Sequence, residues 1–175
     1  MNNIKLRIVS LKRDIQFLYN SMINSDQYLF STKILCNTKQ RYEEWFIGQL
    51  RNHFHDFFIV ELNNQQIGYV HNYDFSIKDG RCKIVVFIAA KYRTTGIGGI
   101  VAIDFMKYLF DSYPLRKVYL DIYDYNKQSL ESNLRAGFKE EGQLKEYRFY
   151  NGKLFSVHVL SIDRNTFDIK LRRKI

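Results

Sequence analysis

The stretch from Ala89 to Gly99 constrains this chain more than any other. An extended apolar run, Arg81 to Ile88, gives way there to small and polar residues, then to Gly96-Ile97-Gly98-Gly99 and an apolar helical run reaching Phe110. A strand that feeds a helix through such a turn leaves the first N–H groups of the helix without partners inside it and points the positive end of its dipole at the turn. Glycine has no Cβ, so at positions 96, 98 and 99 a pyrophosphate can approach the main chain closely, and Arg93 adds a charged donor. Arg93, Thr94, Thr95, Gly96, Ile97, Gly98 and Gly99 are therefore the candidate phosphate-binding loop, although glycines also suit a strand-to-helix turn for conformational reasons alone.

Two other phosphate loops compete with this reading. The pattern G-x-x-x-x-G-K-S/T is absent, which disfavours a Walker-type nucleotide site. Gly96-Ile97-Gly98, with the acidic Asp121 in the next strand, resembles a dinucleotide fingerprint. That fold places its first glycine almost directly after the strand, whereas Ala89 to Thr95 intervene here. It also needs a third glycine where Val101 stands and a series of parallel βα units, yet hairpin-like strands precede this loop.

Those strands follow from period and turn chemistry. Ile4, Leu6 and Ile8 alternate with Lys5 and Arg7 as a half-buried strand, and a helix follows from Leu11 to about Met22. Thr38 caps a second amphipathic helix carrying Tyr42, Trp45, Phe46 and Leu50. Phe57 to Leu62, Gln66 to Asp74 and Arg81 to Ile88 are three antiparallel strands, separated by Asn63-Asn64-Gln65 and by the Asp79-Gly80 turn signal. Beyond the glycine loop, Lys117 to Tyr123 reads as a strand, Asn126 caps a short helix to Arg135, and Gly137 ends it. Phe138 to Tyr150 and Lys153 to Ile162 form a hairpin around Asn151-Gly152. The predicted order is βααβββαβαββ.

The chain has 175 residues, 46% of them apolar, enough for one core, and no Gly/Ser-rich linker divides it. A single domain over 1–163 with a basic tail over 164–175 is expected. Cys36 and Cys82 match no metal-ligand or redox spacing, so a reduced interior without a metal site is expected. Met1 to Lys12 has no continuous apolar run of signal-peptide length and nothing approaches a transmembrane span, so the expected compartment is the cytoplasm and no membrane partner is expected. A net charge of +9 favours polyanions: nucleic acid, an acidic surface or a phosphorylated cofactor.

Two segments together carry a family resemblance. Arg93-Thr94-Thr95-Gly96-Ile97-Gly98 is similar to the R/Q-x-x-G-x-G/A signature of the GNAT acetyltransferases. Asn126-Lys127-Gln128-Ser129, leading to Gly137-Phe138-Lys139-Glu140-Glu141-Gly142, resembles that family's N-x-x-S … G-F-x-x-E-G segment, most closely in the branch with ribosomal-protein and spermidine acetyltransferases. The resemblance covers roughly residues 4 to 163. It implies an α/β (α+β) GNAT fold with a mixed, mostly antiparallel sheet of about seven strands and about four helices. It also implies acetyl-CoA as co-substrate. Main-chain groups of Phe87 and Ile88 would pair with the pantetheine arm, the loop from Arg93 to Gly99 would hold the pyrophosphate, and Asn126 and Ser129 would contact the cofactor.

The implied chemistry is direct attack of a primary amine on the thioester, leaving a thiolate that needs a proton or a strong hydrogen bond. Family members often use a tyrosine as that donor, but the pattern places Asn133 there, which donates a hydrogen bond and delivers no proton. A water or the Tyr125 phenol would then serve. For the base, the strand Arg81 to Ile88 offers no carboxylate; Asp121, Tyr119 and Tyr123 on the next strand, and His71 and Tyr73 on an earlier one, are the candidates.

The acceptor depends on the first two helices and the closing hairpin. Asn24 to Asn37 carries one carboxylate, Asp26, which disfavours a polyamine; a small molecule such as an amino-sugar nucleotide suits a basic cleft better. Alternatives are a protein N-terminus or aminoacyl-tRNA, and a non-catalytic acyl-CoA- or RNA-binding module. A homodimer is compatible with this reading, and nucleic acid is a less favoured partner. The tail, with Arg164, Lys170, Arg172, Arg173 and Lys174, reads as a solvated end rather than an RNA-binding one.

Overall fold

A computed structural model describes residues 3–24, 38–150 and 152–172. Asp26 and Cys36, Asn151 of the hairpin turn, and Arg173 and Lys174 lie outside the described residues. The chain divides into two compact units, Met1–Tyr73 with Val85–Phe105, and Asp74–Ile84 with Met106–Ile175.

In the first unit, β1 (Ile4–Ile8) lies antiparallel to β2 (Phe57–Leu62), with Ile4 opposite Leu62 and Ile8 opposite Phe58. β2 returns into β3 (Gln65–Ser76) through Asn63 and Asn64, both at positive φ (51° and 65°), the twist a two-residue hairpin turn requires. Between them, α1 (Leu11–Asn24) and α2 (Lys39–Leu50) supply an apolar face. Thr38 caps α2, its Oγ1 accepting from Arg41 N at 3.3 Å. Ile15, Leu18, Tyr42 and Phe46 recur at helical spacing and pack on Phe57 and Ile59, with Phe46 edge-on to Phe57 at 4.9 Å. Burying each of these side chains stabilises by about 1.5–3 kcal/mol, which anchors both helices to the strands. Cys82 of the second unit, at the start of β4 (Arg81–Ile88), is buried and outside any disulfide among the described residues.

In the second unit, Arg81, Cys82 and Lys83 of β4 pair in parallel with Lys117, Val118 and Tyr119 of β5 (Lys117–Tyr123). β5 is antiparallel to β7 (Lys153–Asp163), which is antiparallel to β6 (Lys139–Tyr150). The seven-stranded sheet therefore has the order β1-β2-β3-β4-β5-β7-β6. A parallel neighbour demands a crossover, and α3 (Ile97–Ser112) provides it between β4 and β5. α4 (Lys127–Ala136) runs from its Asn126 cap to Gly137, whose φ of 108° only glycine adopts readily. Among the described residues, no helix is long and apolar enough to cross a membrane.

The expected order of seven strands and four helices is present, with boundaries within one or two residues. The structure adds a 3₁₀ turn at Ala90–Tyr92 and corrects the solvated tail. α5 (Arg164–Lys170) occupies its first part: Asp163 caps it through Thr166, and Phe167 and Leu171, one turn apart, are both buried. The basic residues there are held as well. Arg164 donates to the carbonyls of Leu115 and Tyr113, both at 2.9 Å, and Arg172 pairs with Asp111 and Asp168. A charge count concealed a short amphipathic helix.

Candidate functional site

The first unit carries Phe87, Ile88 and the whole glycine loop. Phe87 and Ile88 are buried at the end of β4, and the Ala89 N–H donates to Ile67 O at 2.8 Å, holding that end on β3. Gly68 is required by this contact: a Cβ there would sit 2.1 Å from the Phe87 carbonyl oxygen. Arg93 turns back, with Nε donating to Ile88 O at 2.9 Å and its guanidinium 5.8 Å from the centre of the Phe87 ring. The loop is then bent by Thr94 (φ 66°) and Gly96 (φ 83°) and tied by Thr95 Oγ1 to Tyr92 O at 2.7 Å.

The three glycines separate by cause. Gly96 is needed for its left-handed backbone. Gly98 and Gly99 have ordinary φ values, and a Cβ would meet nothing within 4 Å at Gly99 and only Ile88 Cγ1 at 3.8 Å at Gly98. Protein packing therefore does not explain the missing side chains in the first turn of α3. Open space of that kind at a helix N-terminus is what an anion-binding turn requires.

The second unit carries Asp121, Tyr125, Asn126, Ser129 and Asn133, and the structure links the last three to one another. Asn126 Oδ1 accepts from Ser129 N at 3.4 Å, and Asn133 Nδ2 donates to Ser129 O at 2.8 Å and Ser129 Oγ at 3.3 Å. These three residues form one linked edge of α4, with the amide of Asn133 directed back along its own helix. Tyr125 stacks on Tyr123 at 5.3 Å and meets Phe155 edge-on at 4.8 Å. Asp121 Oδ2 receives the Lys83 ammonium at 2.6 Å, a partner the sequence reading did not assign.

The sequence reading also lacked a histidine pair in the first unit. His55 Nδ1 lies 3.2 Å from the Gln49 carbonyl near the end of α2, and His55 Nε2 lies 3.0 Å from His71 Nδ1. His71 is sandwiched against Phe57, rings 5.0 Å apart and nearly parallel, and Tyr69 next along the face stacks on Phe87 at 4.9 Å. Burial, then the neighbouring His55, pushes His71 down to about 3, and burial pushes His55 below its usual value. For His71 a proton binds the unfolded chain near pH 6.5 and the folded chain only near 3, so stability is greatest above about 6.5 and falls as pH drops towards 3. The slope is about 1.4 kcal/mol per pH unit for one such histidine. Chemical denaturation at pH 7 and 5 is expected to give a lower stability at pH 5, with the difference reduced in His71→Gln.

A mixed, mostly antiparallel sheet whose central parallel pair is joined through a glycine turn and a helix is the arrangement of the acyl-CoA-dependent acetyltransferases. The family model described as an acetyltransferase (GNAT) domain matches residues 4–139, and the chain belongs to that family. It is an N-acetyltransferase with acetyl-CoA as donor. Across 126 residues it is 25% identical to the SPbeta prophage-derived uncharacterized N-acetyltransferase YokL of Bacillus subtilis (strain 168), covering 72% of this chain and 71% of that protein. Its fold is similar to that of Vibrio cholerae spermidine N-acetyltransferase in complex with CoA and spermine (TM-score 0.86, 22% identity, 94% of this chain and 97% of that one). It is likewise similar to the dodecameric structure of spermidine N-acetyltransferase from Vibrio cholerae in an intermediate state (TM-score 0.83, 23% identity, 98% of both chains).

Proposed function

We propose that this enzyme acetylates the primary amine of a small molecule, with the loop from Arg93 to Gly99 holding the pyrophosphate of acetyl-CoA and the main chain at Phe87 and Ile88 meeting its pantetheine arm. The observation that carries this is the open space above Gly98 and Gly99 at the N-terminal turn of α3. When bound, acetyl-CoA supplies an activated acyl group; the chain's own residues orient it and handle protons. Asn126, whose Oδ1 is engaged in the cap, contributes its amide N–H groups, and Ser129 its hydroxyl. Tyr125 is the proton donor in this reading and Asn133 a hydrogen-bond donor only, since its amide cannot deliver a proton. Asp121, held by Lys83, is the carboxylate candidate for proton acceptance.

The net charge of +9 supports an anionic acceptor such as an amino-sugar nucleotide. A second reading, a polyamine acceptor, is favoured by the spermidine N-acetyltransferases of like fold. Both are tested by release of free thiol from acetyl-CoA with a panel containing an amino-sugar nucleotide, spermidine and a peptide N-terminus. Acetyl-CoA at 100 times its Kd is expected to stabilise the protein by about 2.7 kcal/mol. No stabilisation at millimolar acetyl-CoA, with stabilisation by RNA instead, would sink the enzymatic reading.

A further inference from the structure

Two backbone carbonyls fix the proton positions on the histidine pair. A carbonyl oxygen only accepts, so His55 Nδ1, 3.2 Å from Gln49 O, carries a hydrogen. The same reasoning applies to His71 Nδ1, 3.3 Å from Asn72 O. With both rings neutral, His55 Nε2 is then a lone pair, and His71 Nδ1–H donates to it across 3.0 Å. The remaining ring nitrogen, His71 Nε2, is also a lone pair, and no protein donor is assigned to it among the described residues. The result is a directed chain: His71 Nε2, His71 Nδ1–H, His55 Nε2, His55 Nδ1–H, Gln49 O.

This chain has an origin and an end of chemical use. His71 shares its face of β3 with Tyr69, whose ring stacks on Phe87, so one ring separates the imidazole from Phe87 within the first unit. Gln49 is in the last turn of α2, where outward carbonyls make the negative end of the helix dipole and favour a cation. The titratable groups around the pair are Asp56 beside His55, Tyr69 and Tyr73 on β3, and Tyr42 of α2 beyond Tyr69.

We propose that His71 Nε2 accepts the proton of the attacking amine and that His55 relays the charge to the end of α2. This rests on the reading that the thioester arm lies along Phe87 and Ile88. As the nitrogen–carbon bond forms and the carbon–sulfur bond breaks, the nitrogen's proton moves to His71 Nε2. The Nδ1 proton of His71 passes to His55 Nε2, placing the charge over Gln49 O. The departing thiolate takes a proton from solvent, or from Tyr125, which solvent then reprotonates; the Nε2 proton of His55 returns to His71 Nδ1 as His71 Nε2 gives its own proton to water, which restores both tautomers. Burial keeps the resting His71 ring neutral and a poor resting place for charge, so the proton it accepts passes on to His55, whose hydrogen bond to the Gln49 carbonyl favours the charged form. Under this proposal Asp121, which already receives the Lys83 ammonium, is not the base.

The test first measures acetyl-CoA binding by calorimetry and thiol release in the unmodified enzyme; failure of both overturns the parent reading of function and is recognisable before any variant is made. With both present, His71→Gln is expected to lower kcat by about 10²- to 10⁴-fold with acetyl-CoA affinity unchanged. His55→Gln, which still accepts from His71 but cannot take its proton, should lower it less, by about 10- to 100-fold as for other imidazole-orienting partners. Added imidazole should restore turnover to His71→Gly in proportion to its concentration. The ¹⁵N shifts of the unmodified protein should show both rings protonated at Nδ1 and bare at Nε2. Undiminished kcat in His71→Gln, or an Nε2–H tautomer at His71, would overturn the proposal.

Discussion

Gly98→Leu is expected to lower acetyl-CoA affinity by about 100-fold or more while leaving the melting temperature within a few degrees of the parent. The two halves of this expectation have separate causes. The fold tolerates the change: a Cβ at 98 meets only Ile88 Cγ1, at 3.8 Å, and φ there is not positive. Leucine is also a better helix former than glycine, by roughly 0.8 kcal/mol. On the proposed phosphate site the ligand should not tolerate it, because the side chain would fill the space through which phosphate oxygens would reach the first N–H groups of α3, and losing a few such charge-assisted bonds accounts for about 3 kcal/mol or more. Gly96 is the wrong place for this experiment, since a side chain at its φ of 83° strains the turn whether or not anything binds. Calorimetry with acetyl-CoA, paired with thermal melts of the apo proteins, separates the effects. Unchanged affinity with an unchanged melt would put the phosphate site elsewhere.

What was legible beforehand follows from how local each signal is. The loop, the Thr38 and Asn126 caps, the Gly137 stop and the hairpin turn at Asn63-Asn64 are written in single residues whose backbone or side-chain chemistry acts within four positions. They were readable for that reason. The functional reading of the loop also gained from the resemblance, since glycine spacing alone left a conformational explanation open. The strand order was less accessible, because placing β7 between β5 and β6 depends on pairing across distant segments. α5 was missed since its signal is two apolar residues, Phe167 and Leu171, inside a run dominated by charge. His55 was invisible because its partner is sixteen residues away, and only tertiary packing brings their ring nitrogens within 3.0 Å. The hydrogen bonds of Asn133 Nδ2 to Ser129 one turn back were equally hidden, because a side-chain amide four residues after a hydroxyl and a carbonyl has a local partner that periodicity does not reveal.

The largest stability loss is expected at a charged residue, Asp14, and follows from the same contrast between local and distant partners. Alternation in β1 marks Arg7 as a solvent-facing residue, but it crosses to α1. Its Nη2 donates to Asp14 Oδ1 at 2.8 Å and its Nη1 to Oδ2 at 3.0 Å, a two-pronged pair. Asp14 is fully buried and its oxygens also accept from Ser10 N at 2.7 Å and Gln66 Nε2 at 2.6 Å. Arg7 Nε and Arg13 Nη2 converge on Glu61 Oε1, at 2.9 and 3.0 Å, where a register shift in β2 between Val60 and Glu61 interrupts the regular pairing. One carboxylate therefore binds β1, the start of α1 and β3 at once. Burial alone would raise its pKa, but Arg7, the Ser10 N–H and Arg13 outweigh that and hold it below the usual range. Asp14→Ala removes the acceptor and leaves a half-buried guanidinium and the half-buried Gln66 amide short of partners, at an expected cost of about 3–5 kcal/mol. Replacing both members, Arg7→Met with Asp14→Leu, removes the uncompensated charge and should cost less than Asp14→Ala alone, because Arg13 still serves Glu61. Since the folded carboxyl has the lower pKa, the stabilisation it gives is present above about pH 4 and lost as pH falls below it. Urea titrations of the three proteins at pH 7 and pH 3.5 measure both effects. A loss under 1 kcal/mol for Asp14→Ala, or a double variant weaker than the single, would show that this network does not anchor α1 to the sheet.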